Sequence, residues 1–282
     1  MEAIKNRYEF TVFFDVENGN PNGDPDAGNM PRVDPETQMG LVTDVCIKRK
    51  IRNFVGLYKE SEPHYNILVN ADSSLASHFE AAYEANNLKK KQKDKASDND
   101  IETAKDYMCR NYYDVRTFGA VMNVSDNRCG TVRGPVQLEF AHSLDPISPQ
   151  NLTITRLTDV EDTQTQMGKK NIVPYGLYRV DGYVSAMLAQ KTGFSDEDLE
   201  LLWTAIINMF EHDRSAARGK MCVRKLFVFK HDSALGNAPA HILFDKIKAT
   251  KNADVAVPRS FADYTVTVDN HMPDGVTFIE KL

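Results

Sequence analysis

Tyr8-Glu9-Phe10-Thr11-Val12-Phe13-Phe14, dominated by aromatic and β-branched side chains, predicts a strand near the start of the chain. Downstream, Ile47, Ile51, Phe54, Val55 and Tyr58 share one face of a helix from about Thr43 to Tyr58, with Thr43 or Asp44 as its cap. A second helix opens at Ser195-Asp196-Glu197-Asp198, an N-cap followed by an acidic first turn suited to the helix dipole. Leu199, Leu202, Trp203, Ile206, Ile207 and Phe210 then lay one apolar stripe along it to about His212. Further strands are expected at Val136, Leu138 and Phe140, from Leu177 to Val184, and at Leu226-Phe227-Val228-Phe229. Tyr264 to Val268 and Val276 to Ile279 read as a terminal hairpin across Asn270 to Gly275. The order strand, helix, strands, helix, strand predicts an α+β fold with helices on one face of an antiparallel sheet, the ferredoxin-like plan.

That plan needs far fewer than 282 residues, and two insertions account for the excess. Ser61 to Asn111 is helix-prone and highly charged, and reads as a helical subdomain with an exposed turn at Lys89 to Lys95. Asn151 to Tyr175 encloses Thr158 to Asn171, where only Val160 and Met167 are clearly apolar; a segment this polar cannot be core and must project. The chain is therefore read as a single domain, 1–282, carrying insertions at 61–111 and 151–175.

Lys plus Arg number 34 against 40 for Asp plus Glu, a net charge of −6. Taken as a sum this argues against a nucleic-acid partner, but a binding groove needs only a local excess of cations. No apolar stretch approaches the roughly 20 residues of a membrane span, and Met1-Glu2-Ala3-Ile4-Lys5 lacks an apolar signal core. A cytoplasmic protein without a membrane partner is expected. The four cysteines are widely spaced, with no C-x-x-C pair to hold zinc, and read as free thiols.

Three segments could carry binding chemistry. In Asp15 to Asn29 short polar side chains, among them Asn18, Asn20 and Asn22, alternate with Gly and Pro, so the backbone turns and amide donors face outward. A calcium-loop alignment beginning at Asn18 fails at its last position, where Asn29 replaces the bidentate Glu such a site needs. The first helix is locally +3, from Lys48, Arg49, Lys50 and Arg52 against Asp44. Lys48 and Arg52 lie one turn apart beside the apolar stripe, with Arg49 on the opposite face. The helix follows directly on the amide-rich loop, and together they could clamp phosphates. The third segment holds Arg214, Arg218, Lys220, Arg224 and Lys225, with small residues between the first two that permit close backbone approach to a ligand. Recognised nucleophile, phosphate-loop, zinc and dinucleotide motifs are not found. No catalytic residue, metal or cofactor is expected. Asp159, Glu161 and Asp162 are the fairest acids for metal-assisted phosphodiester cleavage, the alternative function.

Asn18-Gly19-Asn20-Pro21-Asn22-Gly23-Asp24-Pro25-Asp26 with the stretch Gly40 to Arg52 resembles the opening of the Cas-seven family, the backbone subunits of CRISPR Cascade surveillance complexes. Asp114 to Val121, Arg133 to Gln137 and Gln166 to Gly176 resemble later motifs of that family, in order, and the combination is most similar to its type I-C branch. The resemblance implies a modified RNA-recognition palm with helical fingers and a β-hairpin thumb, the two insertions falling where fingers and thumb belong. It further implies a non-catalytic antiviral subunit whose copies stack head to tail along a guide crRNA and display it to target DNA. Large, small and crRNA-end-capping Cascade subunits would be its other partners. Lys48 and Arg52 match the family's RNA-gripping helix, with Thr43 near its start. Met167 is the candidate thumb wedge that flips a base, beside Lys169 and Lys170. Lys225 to Lys230 is only a faint echo of an aromatic RNA-stacking strand, so recognition of backbone is expected.

Overall fold

The structure is a computed structural model that describes residues 2–88, 97–124, 126–155 and 167–282. Strand β1 (Tyr8–Gly19) outruns its aromatic start and continues through Asp15, Glu17 and Asn18, residues that composition assigns to a loop. It does so because both edges are paired, as far as Gly19 opposite Val173 and Glu17 opposite Lys220. The short pair β2 (Gly23–Asp24) and β3 (Met30–Pro31) follows, and β4 (Met39–Val42) leads into helix α1 (Asp44–Tyr58). Thr43 caps α1, its hydroxyl accepting the Cys46 N–H at 3.2 Å, and Ile47, Ile51, Phe54 and Val55 are buried as their spacing requires.

Helices α2 (Leu75–Ala85), α3 (Asp98–Asn111) and α4 (Tyr113–Phe118) come next, then the hairpin β5 (Gly119–Val121) and β6 (Thr131–Arg133). Phe79, Tyr83, Met108, Val115, Met122, Cys129 and Val132 form a core separate from that of the main sheet. Packing of the helical insertion thus continues past Asn111, because α2 and α3 need the apolar surface of α4 and the hairpin to close around. The Lys89 to Lys95 run and Asp159, Glu161 and Asp162 lie outside the described residues.

The chain then builds β7 (Val136–Leu138), β8 (Ala141–Pro146), β9 (Gln150–Thr155) and the long β10 (Met167–Val184). One end of β10 pairs with β9 in an exposed ribbon, and the other pairs with β1, β7 and β8. Helices α5 (Ala186–Thr192) and α6 (Asp196–Asn208) follow, the second opened by a Ser195–Asp198 capping box. The C-terminal part comprises β11 (Lys220–His231), α7 (Ala240–Phe244), β12 (Ile247–Lys251), β13 (Tyr264–Val268) and β14 (Val276–Glu280).

The result is a mixed α/β protein whose main sheet runs β14-β11-β1-β10-β8-β4, with all pairings between described strands antiparallel. Helices α1 and α6 pack on one face, where Trp203 meets Tyr8 and Phe10 edge-on at 6.5 and 5.1 Å. On the other face Phe13, Leu177, Phe227 and Phe229 are buried with Leu243 of α7 and Ile247 of β12. Both expected terminal strands form, but the hairpin between them does not: β13 pairs with β12, and β14 with β11. Alternation marks a strand without naming its partner. Among the described residues no helix is long and apolar enough to cross a membrane.

Candidate nucleic-acid interface

The end of β1, the start of α1 and the segment after α6 are remote in sequence and meet at one corner of the sheet. The backbone of Asn20 donates to the Ala217 carbonyl at 2.9 Å. The approach is so close that a Cβ on Gly19 would sit 1.8 Å from the Arg218 carbonyl oxygen, and one on Gly219 2.4 Å from that of Asn18. Gly219 also has φ +64, a conformation glycine adopts without penalty. The asparagines of the loop mostly serve this scaffold. Asn20 donates to the Asn29 carbonyl at 2.8 Å, and the Asn22 side-chain oxygen accepts from both the amide and the hydroxyl of Thr43 at 3.0 Å. Asn18 is exposed, at φ 51.

Five acids pair with the cations of this corner. Lys48 bonds Asp44 at 2.9 Å and lies over Phe118. Arg52 bonds Asp114 at 2.8 Å, also over Phe118, with only 11% of its side chain exposed. Asp114 in turn accepts the backbone N–H groups of Leu68 and Val69 at 2.8 and 3.1 Å. Both lysine and arginine of the expected RNA-gripping pair therefore fasten α1 to neighbouring structure. Lys50 is 2% exposed and ion-paired with Asp213, whose same oxygen receives Arg218 Nε at 3.2 Å. Arg49 and Arg214 are exposed, Arg214 next to Glu211; Lys220, also exposed, bonds Glu17 at 3.0 Å. Burial pushes the Cys46 thiol above its ordinary value, and Lys50, Arg218, Asp213 and Arg49 all act on it electrostatically. These four charges consequently share the neighbourhood of one side chain.

Sequence periodicity contained a signal for the buried lysine: Lys50 is three residues after Ile47 and four before Phe54, within the apolar stripe. Asp213 was legible as the one acid between His212 and Arg224. Its pairing with Lys50, 163 residues away, was not.

The β9–β10 ribbon borders the same corner. Asn171 donates to the Gly28 carbonyl at 3.0 Å, which turns its face of the ribbon toward the loop. Strand alternation puts Met167 and Lys169 on that face and Lys170 on the other. Met167 is 74% exposed.

Elsewhere, His231 and His212 are used structurally. His231 is fully buried, accepts the Asn237 N–H on Nδ1 at 2.8 Å and faces Glu9 at 2.5 Å; the His212 ring packs near Phe54. Among the described residues no group of three or more His, Cys, Asp or Glu is placed to hold a metal ion. In the loop once aligned to a calcium site, Asp24 instead accepts the Asp26 N–H and pairs with Arg32.

Comparison with known proteins agrees with the sequence motifs. A "CRISPR-associated protein Cas7" from Haloferax volcanii is 27% identical over 229 residues, covering 72% of this chain and 65% of the relative. This chain thus spans a little under two thirds of that relative's length. Two solved chains, from a "CRISPR RNA-guided surveillance complex, pre-nicking" and a "CRISPR RNA-guided surveillance complex", are each 13% identical, with TM-scores of 0.49 and 0.45. They cover 79% of this chain in each case, and 78% and 68% of their own lengths. The family described as CRISPR-associated protein Cas7 matches residues 6–269, nearly the whole sequence, and the chain belongs to that family.

Proposed function

We propose that this Cas7-family chain is a non-catalytic backbone subunit of a Cascade-type surveillance complex that grips the phosphate backbone of guide crRNA. The observation that carries this reading is the convergence of exposed Arg49, Arg214 and Lys220 and half-exposed Arg218 on one glycine-bearing corner, bordered by the ribbon face of Met167 and Lys169. Cations presented beside close-packed backbone suit a polyanion, and side chains of this kind read phosphate spacing and not base identity. Phe227 and Phe229 are buried, so they offer no stacking platform on the sheet. Sequence is then left to base pairing between guide and target DNA.

In this reading the main sheet with α1 and α6 is an RNA-recognition palm, residues 61–111 are fingers and residues 151–175 a thumb, with Met167 as wedge. Copies stack head to tail along the guide in the cytoplasm, beside the other Cascade subunits. Lys48 and Arg52 shape the palm, while Arg49, Arg214 and Arg218 make the phosphate contacts. Salt titrations of binding to two unrelated single-stranded RNAs test this. Replacing those three arginines with Ala should weaken both RNAs equally and flatten the log–log salt slope by about two, near 0.7 per lost contact. Unchanged affinity and slope would remove the corner from the RNA site.

A further inference from the structure

Resting on that RNA-binding reading, we infer that Asp213 is a positioning residue for the site: an acid whose presence strengthens binding to a polyanion. Three acids border the exposed cations of the corner. Glu211 and Glu17 are 48% and 42% exposed and each pairs with one exposed cation, Arg214 or Lys220. Such surface pairs contribute little and exchange readily for a phosphate. Asp213 differs in kind. It is 17% exposed, and its Oδ2 holds Lys50 and Arg218 together.

Lys50 cannot reach an RNA strand, because it is 2% exposed and lies over the Phe210 ring at 5.7 Å. What its pairing with Asp213 does is tie α1 to the segment after α6. That segment then closes through the Ser215 carbonyl, which accepts the Arg218 N–H at 3.1 Å, and docks through Ala217 on Asn20. Asp213 is thus the link that sets Arg214 and Arg218 beside Arg49. Lys50, Arg218, Asp213 and Arg49, the residue before Lys50, all act electrostatically on Cys46, whose thiol burial raises.

The inference separates itself from simple electrostatics by sign. If only net charge mattered, neutralising any of the three acids would tighten RNA binding. If Asp213 positions the arginines, Glu211→Gln and Glu17→Gln should bind RNA as tightly as wild type or up to about threefold tighter. Asp213→Asn should bind roughly tenfold more weakly, the worth of one charge-assisted contact, with a shallower salt slope. Asp213→Glu, which keeps the carboxylate, should recover most of the affinity. Because Asp213→Asn strands a buried ammonium, a Lys50→Met/Asp213→Leu double variant is measured beside it: thermal stability should return while RNA affinity stays low. Tighter or equal binding by Asp213→Asn, or full affinity in the double variant, overturns the positioning role alone. Failure of wild-type protein to bind RNA with a salt dependence overturns it together with the RNA-binding reading.

Discussion

Arg52 shows how far a charge can be legible while its use is not. Its side chain was readable as basic and helical, but its partner Asp114 lies 62 residues away in the helical insertion. Removing the guanidinium leaves a carboxylate that is 1% exposed and served only by two backbone amides. Arg52→Ala should therefore lower unfolding free energy by about 3 kcal/mol in urea titrations, while changing the RNA affinity of the folded protein less than threefold. A second residue-scale expectation concerns pH. His78 bonds Ser73 at 2.6 Å and Tyr112 at 2.9 Å, and burial holds its imidazole below the ordinary value. The unfolded chain then takes up a proton first as pH falls below about 6.5, so the contribution is complete above that pH and lost beneath it. Replacing His78 with Gln should flatten the decline in stability between pH 6.5 and 5.

At the scale of elements, the starts of α1 and α6 were readable almost to the residue because cap and stripe coincide in each, Thr43 with Ile47 and Ile51, Ser195 with Leu199 and Trp203, whereas α6 ends at Asn208, short of the His212 that its stripe suggested. Strands were less so. Asp15 and Glu17 read as loop, yet they lie in β1, because neighbours on both sides pair with them and polarity alone cannot report that. The ribbon offers a test at this scale. Alternation separates Lys169 from Lys170, and only the first shares a face with Asn171, which is bonded to the loop at Gly28. Lys169→Glu should weaken RNA binding by about tenfold, and Lys170→Glu by less than twofold, in the same salt-controlled titrations. Equal effects would place the strand of RNA elsewhere.

For the whole molecule, a net charge of −6 is compatible with exposed cations gathered at one corner because net charge is a sum and says nothing of where the charges lie. The three segments of that corner were each visible in sequence as basic or turn-rich. Their convergence was not, since it depends on antiparallel pairing of β1 with both β10 and β11. Nor was the anchoring of Arg52 by Asp114 and of Lys50 by Asp213. The core between the main sheet and helices α1 and α6 meets that of the helical insertion where Arg52 and Asp114 join α1 to that insertion. The main sheet also has a mechanical property of its own. Strand β10 is 18 residues long, roughly 60 Å at about 3.3 Å per residue, and passes without a break from the exposed ribbon into the centre of the sheet. The projection is built like a cantilever with its root embedded in the wall: a load on the ribbon is met by shear across hydrogen-bonded neighbours, and this strand bends as a beam where a hinged loop would swing.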